Sequence, residues 1–396
     1  MSKEMILEKI DQAVKILNEK DIDMWMTYVR ETGNMKDPMM DMVVGTSATW
    51  QSAFIITKKG DTHAIVGSLE LANMKAVGIY KNIHSYLKSV KEPLLEVLNE
   101  YKPNKIAINY SRNSTLADGL PHGLYLELLD HLKDTKFTNA LISSEEIVAA
   151  LRGRKSPAEL EIMKEAIKET LKIFDEVTKY LKPGLTEKQV ASFVHELTEK
   201  RGFGLAWEKE YCPSVFTGPD TAGAHSGPTD RIIEPGHVIN MDFGIRHKEY
   251  CSDLQRTWYV LNPMEDKAPA EVQKGFDVIV ESITRSANEL KPGKKGFEID
   301  EIARNYIQVH GYSEYPHGLG HQVGKLCHDG GCLLGPKWER YGNVPFLEVE
   351  ESNVFTIEPR LTIPNYGIAT IEEEVVVTKT GCEFLSERQK EIYLVR

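Results

Sequence analysis

Leu181-Lys182-Pro183-Gly184 returns later in the chain as Leu290-Lys291-Pro292-Gly293. The residues after each copy match at the same offset: Val190, Phe193, Leu197, Gly202 and Phe203 face Ile299, Ile302, Tyr306, Gly311 and Tyr312. Each copy reads as a Pro-Gly turn leading into an amphipathic helix. The repeat goes further, since Glu234–Asp242 (EPGHVINMD) parallels Glu350–Glu358 (EESNVFTIE), and Ser252-Asp253 parallels Ile371-Glu372. Duplicated units bury their cores against each other. Asp242, Asp253, Glu358 and Glu372, at equivalent places, therefore predict one shared site and not four surface charges.

The neighbours of these acids support that reading. Asp242 ends the apolar run Val238-Ile-Asn-Met, Glu358 follows Val354-Phe-Thr-Ile, Glu372 follows Ile368-Ala-Thr-Ile, and Asp253 lies at the next strand signal after Gly244 to Tyr250. All four are expected to interrupt strands. A buried carboxylate loses its hydration at a cost of several kcal/mol unless a cation or a donor replaces the water. One such acid alone could be an outward charge on a surface strand; four in a duplicated pattern are harder to place there.

A second stretch, Tyr315–Asp329 (YPHGLGHQVGKLCHD), sets His317, His321 and His328 among Gly318, Gly320 and Gly324. The glycines, each costing about 1 kcal/mol in a helix interior, argue against a helix. In an extended chain His317, Leu319 and His321 share a face, and glycine lets another group approach the backbone. A strand presenting histidines is predicted, with a solvated glycine-rich turn as the alternative. Carboxylates plus imidazole suit Mn, Fe, Co or Zn rather than a thiolate-loving metal. Two such ions about 3.5–4 Å apart would activate a water and polarise a carbonyl, which is metal-assisted hydrolysis.

Outward from this site, Ser156-Pro157-Ala158-Glu159 is a capping box with Pro at the first helical position, and Leu160, Met163, Ile167, Leu171 and Phe174 continue it as a helical stripe. A domain boundary is placed at 150. Residues 1–150 alternate helix and strand signals: a stripe at Ile6, Ile10, Val14 and Leu17, a hairpin from Ala53–Ile56 through Gly60-Asp61 to His63–Val66, and a strand in Lys105–Tyr110. They read as an α/β domain without a chemical motif. The 396 residues, 41% hydrophobic and 27% charged, suit two globular domains. The net charge of −11 opposes a phosphate backbone, so nucleic acid is excluded as a partner. No apolar run offers a membrane span, and MSKEMILEKI lacks a signal core, so a cytoplasmic address is expected. Five scattered cysteines lack the paired spacing of a zinc site or a disulfide scaffold, and are read as reduced thiols.

At these residues the sequence resembles the pita-bread metallopeptidases: aminopeptidase P, prolidase, methionine aminopeptidase and the metal-free creatinases. The resemblance covers essentially the whole chain. It is carried by Arg154-Lys155-Ser156, Ser214–His225 (SVFTGPDTAGAH), Asp242-Phe-Gly with Ser252–Thr257 (SDLQRT), His317–His321 (HGLGH), Thr356–Pro359 (TIEP) and Ile371-Glu-Glu373. It implies an α/β N-terminal domain of the creatinase/prolidase type over 1–150, and an α+β pita-bread catalytic domain with a pseudo-two-fold duplication over 151–396. Carried over, Asp242, Asp253, His321, Glu358 and Glu372 would hold two divalent ions, Mn first, with Co, Zn or Fe as alternatives. Asp253 and Glu372 would bridge them, Asp242 would complete one ion, and His321 with Glu358 the other. Glu358 would serve as general acid/base, His328 would bind the substrate carbonyl, His225 would sit near the scissile bond, and His317 would line the pocket. A small peptide substrate, Xaa-Pro specificity and a homodimer are likewise implied.

Two departures bear on substrate. Arg360 occupies the position after Glu-Pro where the family usually has Gly, and the usual Gly-Val-Arg-Ile-Glu reads Gly367-Ile-Ala-Thr-Ile-Glu372, without its Arg. Arg340 or Arg360 is expected to replace that charge, Arg340 first, as the group gripping a substrate carboxylate. A metal-free creatinase-like hydrolase and a non-catalytic binding protein are the competing readings. Both predict lost ligand positions, and all five are filled.

Overall fold

The computed structural model describes residues 1–221 and 226–396. Two compact units emerge, Met1–Arg152 and Gly153–Arg396. Helix Glu145–Gly153 runs through position 150, so the division falls at its end.

The first unit is an α/β layer structure around one six-stranded sheet. Its strand order is Asn82–Tyr86, Thr62–Gly67, Ser52–Thr57, Met24–Val29, Ile106–Ile108, Leu141–Ser143. The predicted hairpin forms its antiparallel middle, with Ala53 opposite Ile65 and Ile55 opposite His63. The middle strands are buried throughout because both faces are covered: Trp25, Phe54 and Ile56 enter one core with Ile6, Ile10 and Leu17 of helix Lys3–Glu19, while Met24, Met26 and Ile55 enter the other. Alternating side chains along each strand make that division.

The second unit carries the duplication in its backbone. Helix Pro157–Tyr180, opened by the Ser156/Glu159 capping box, turns through Leu-Lys-Pro-Gly into helix Glu187–Lys200. Ala270–Glu289 turns the same way into Gly296–Val309. Gly184 and Gly293 have φ of +89° and +85°, and their N–H groups bond to Ile233 and Val349 carbonyls at 2.8 and 2.9 Å. The next bridges, Thr186 to Ile232 and Lys295 to Glu348, are again equivalent. Gln189 accepts from the Thr186 N–H, and Glu298 from the Lys295 N–H, at 2.8 and 2.7 Å. Each half lays its helices on its own strands: Val238–Phe243 pairs with Leu254–Val260, and Val354–Ile357 with Glu373–Val377, both antiparallel. Phe174, Val190 and Trp258 belong to one core; Phe276, Ile299 and Phe355 belong to the other.

Two expectations are corrected. The Tyr315–Asp329 stretch is not a regular strand: isolated bridges join Gly320 to Leu334 and Gln322 to Phe355, and beyond them the chain bends back, with the Asp329 N–H donating to the Gln322 carbonyl at 2.8 Å. It lies so close to its neighbour that a Cβ on Gly320 would stand 2.0 Å from the Thr356 carbonyl oxygen. Of the four acids, only Asp242 lies within a strand. Asp253 precedes Leu254–Val260, Glu358 follows Val354–Ile357, and Glu372 falls between Gly367–Thr370 and Glu373–Val377. Leaving the ladder frees their backbone groups: the Asp253 N–H donates to the Glu374 carboxylate, and the Glu358 N–H to the Leu319 carbonyl.

No heavy atom lies within 4 Å of a Cβ built on Gly184 or Gly293, so their positive φ alone resists substitution. Gly184→Ala and Gly293→Ala are each expected to cost about 1 kcal/mol in denaturant unfolding. A loss confined to one of them would contradict the equivalence of the turns.

Candidate metal centre

His321 organises the site. Its Nδ1 lies 3.0 Å from the Cys327 carbonyl and 3.4 Å from that of Gln322. Facing only acceptors, Nδ1 must carry the proton, which leaves the Nε2 lone pair free. That Nε2 points at carboxylates: Glu358 Oε1 at 3.4 Å, Asp253 Oδ2 at 3.8 Å and Glu372 Oε1 at 4.0 Å. Ligand atoms of Asp253, His321 and Glu372 lie within 4.8 Å of one another. Asp242 sits across the strand pair, opposite Gln255.

The electrostatics are those of acids crowded without a counter-charge. Burial pushes Asp242 up to about 7, against a hydrogen bond with Asp253 that lowers it. Asp253 is raised well above its ordinary value by burial, then by Asp242, Glu358 and Glu374. Glu372 is raised by burial and by Asp253, Glu358 and Asp242. Glu358 is raised by burial and Asp242, while Gln255 and Thr356 hydrogen bonds pull the other way. Burial, then the adjacent His328, hold His321 well below the ordinary imidazole value. The shielded Asp242 Oδ1 and Glu372 Oε2 have no hydrogen-bond partner among the described residues. Orphaned carboxylate oxygens and a neutral imidazole aimed at them fit divalent cations.

The remaining predicted residues spread around this cluster. The exposed His328 stacks edge-on against His321, with ring centroids 4.2 Å apart. The half-buried His317 lies 5.2 Å from the Tyr315 ring, with Nδ1 2.7 Å from the Gly318 carbonyl. Arg340 is exposed and donates to the Pro316 carbonyl and to the Tyr341 hydroxyl. His225 lies outside the described residues.

Four participants escaped the sequence reading. Gln255 donates to Glu358 Oε2 at 3.2 Å, and Thr356 Oγ1 accepts from the His321 N–H at 3.1 Å. Glu374, buried and pushed up to about 8 by that burial, accepts from the Asp253 N–H at 2.8 Å. Arg256, in a buried ion pair with Glu373 at 3.2 Å, donates to the Gln255 and Glu372 carbonyls at 2.9 and 3.0 Å. A signal existed for three of them: Gln255, Thr356 and Glu374 each stand two residues from a predicted acid, the spacing that puts side chains on one face of an extended chain.

Comparison with known proteins adds lineage to this geometry. The model of metallopeptidase family M24 matches residues 161–379, more than half of the chain. The chain belongs to metallopeptidase family M24. An Xaa-Pro dipeptidase of Pyrococcus furiosus is 27% identical over 390 residues, covering 97% of this chain and 99% of that one. The X-Pro aminopeptidase structure from Thermotoga maritima aligns with TM-score 0.70 at 25% identity, over 98% and 99% of the two chains. Dipeptidase PepE of Mycobacterium ulcerans aligns with TM-score 0.76 at 21% identity over 100% and 99%, a likeness of fold alone. The expected architecture holds: an α/β first unit and a duplicated pita-bread unit in an M24 metallopeptidase. Among the described residues no helix is long and apolar enough to cross a membrane.

The raised carboxyl groups make a testable statement about the metal-free M24 chain. Above about pH 6.5 the unfolded carboxyls are fully ionised and an unfolded His321 binds at most about half a proton, whereas folded Asp242 and Glu374 still bind protons up to about 7 and about 8. The folded state then binds more protons, so its stability falls as pH rises. Chelator-stripped protein is expected to lose on the order of 2 kcal/mol between about pH 6.5 and 8.5 in urea melts, and divalent ion should cancel the loss. A flat or rising profile without metal would contradict the crowding.

Proposed function

We propose that this chain is a two-metal exopeptidase that cleaves Xaa-Pro bonds near the N-terminus of short peptides. The observation that carries the reading is the free Nε2 of His321 facing three carboxylates at 3.4 to 4.0 Å. The name of the Pyrococcus furiosus relative supports the proline preference. Asp242, Asp253, His321, Glu358 and Glu372 would hold the ions, with Asp253 and Glu372 shared between them. When bound, the ions would lower the pKa of a water and polarise the scissile carbonyl. Manganese comes first among the candidates because four of the five donors are carboxylates, with Co, Zn and Fe as alternatives.

The side chains have separable tasks. Glu358, its carboxylate held by Gln255, takes the proton of the attacking water as the O–C bond forms and delivers it to the departing amine as the C–N bond breaks. His328, beside His321, would donate to the carbonyl oxygen as negative charge grows there. His225 is assigned proton transfer near the scissile bond on the resemblance, and His317 a place in the pocket wall. We further place the enzyme in the cytoplasm as a homodimer.

Metal dependence and the division among histidines are tested together. Exhaustive chelation is expected to abolish Ala-Pro hydrolysis and Mn to restore it. His321→Ala should lose metal by elemental analysis, whereas His328→Ala should keep it and lose roughly 100-fold or more in kcat. The reverse pattern would exchange the two assignments.

Substrate length turns on an arginine. Arg340 remains the first candidate to grip a free carboxylate, although its guanidinium already donates to Pro316 and Tyr341. Arg360 is the second: it is half-buried, stands opposite Thr370, and its guanidinium makes no hydrogen bond or ion pair among the described residues. Losing the gripping residue should raise KM for Ala-Pro at least tenfold more than for Ala-Pro-Ala. Kinetics of Arg340→Ala and Arg360→Ala on both peptides decide between them; equal effects on both substrates would remove either from the role.

A further inference from the structure

Helix Gly296–Val309 carries Asp300 and Arg304, four residues apart, with side chains 0% and 7% exposed. They form a bidentate pair, Nε to Oδ2 at 2.7 Å and Nη2 to Oδ1 at 2.8 Å. The other donors of Arg304 all reach the chain just ahead of His321. Nη1 donates to the Tyr315 carbonyl at 2.8 Å and to Glu314 Oε1 at 3.2 Å, and Nη2 to the His317 carbonyl at 2.7 Å. All five N–H groups of the guanidinium are thereby used. Its Cζ lies 4.1 Å from the Tyr315 ring centre and 5.0 Å from that of Trp338. Asp300 Oδ1 completes the grip by accepting the Leu319 N–H at 3.0 Å.

Leu319 is the junction. Its N–H is held by Asp300, and its carbonyl accepts the Glu358 N–H at 2.7 Å. Two residues on, the His321 carbonyl accepts the Thr356 N–H at 2.9 Å and the His321 N–H donates to Thr356 Oγ1 at 3.1 Å. The two segments run so close together here that there is no room even for a Cβ on Gly320 beside the Thr356 carbonyl. Whatever fixes the Leu319 peptide therefore fixes the relative height of His321 and Glu358.

The helix does not need this pair in order to fold. In the duplicated helix Glu187–Lys200, Ala191 and His195 stand at the equivalent positions, and the same Pro-Gly turn and packing form without an ion pair there. Burying two charges also gains little net stability over apolar residues of similar volume. The pair occurs in the half that carries His317, His321 and His328.

We infer that Asp300 and Arg304 are positioning residues, whose grip on the Tyr315–Leu319 backbone sets His321 and Glu358 at the spacing needed to hold divalent metal. The inference rests on the proposed ligand roles of those two residues.

The test measures Mn2+ affinity by chelator competition, alongside kcat, KM and thermal midpoint, in the full chain. Arg304→Lys keeps the charge but offers three donors in place of five, and is expected to weaken Mn2+ binding about 10- to 100-fold, the range for groups that orient metal ligands. In the Mn-saturated protein kcat should fall with KM little changed. Arg304→Met should lose more than Arg304→Lys. Ile307→Val, a core change on the same helix, is the control for general loosening and should leave affinity within about twofold. Asp300→Asn, which sets an amide against Nε of Arg304, should reproduce the loss should Arg304→Lys not fold. A folded variant of either residue with wild-type Mn2+ affinity, or a loss matched by Ile307→Val at equal thermal midpoint, would overturn the inference. Wild-type protein that binds no Mn2+, Co2+, Zn2+ or Fe2+ would instead overturn the ligand assignment on which it rests.

Discussion

Carboxylates stripped of water repel one another, and the catalytic unit is built around that repulsion. Asp242, Asp253, Glu358, Glu372 and Glu374 converge where burial raises each of them, and the charge of neighbouring acids of the set raises Asp253, Glu358 and Glu372 further. A fold that brought them together without a balancing cation would be working against itself. His321 shows how the balance is arranged. Two backbone carbonyls accept from its Nδ1–H, so a lone pair and not a positive charge faces the acids. A protonated imidazole would neutralise part of the cluster; a neutral one completes a donor set.

The duplication explains how so costly a cluster can be assembled. Each half supplies its acids from a strand pair and its ends, so neither half buries the whole set alone. The halves are then tied at backbone level. Gln255 bridges Glu372, and Arg256, neutralised by Glu373, donates to the carbonyls of both. A buried guanidinium spent on carbonyls sets backbone positions on both sides of the site, and its own counter-ion keeps it from competing with a metal for the ligand carboxylates.

Symmetry is broken where chemistry requires it. The second half inserts the histidine segment between its helix pair and its strands, and with it the Asp300–Arg304 pair that has no counterpart in the first. The first half contributes Gln255, which steadies Glu358 from across the site. The second unit is thus a symmetric frame carrying an asymmetric set of donors.

By itself the sequence determined the α/β first unit, the repeated Pro-Gly turns, the capping box at Ser156 and the identity of the clustering acids. These depend on local periodicity, on glycine's access to positive φ and on the cost of charge within apolar runs, all of which are written in neighbouring residues. Only the tertiary structure decided that Asp253, Glu358 and Glu372 leave their strands, that Tyr315–Asp329 makes isolated bridges and bends back instead of forming a strand, and that Gln255, Thr356, Glu374 and Arg256 support the site. Those outcomes depend on which backbone group meets which partner over a hundred residues away, as Gln255 meets Glu358 and Asp253 meets Glu374. Hydrogen bonds between distant segments leave no periodic trace in the chain, because either partner is an ordinary strand residue until the fold sets the other beside it.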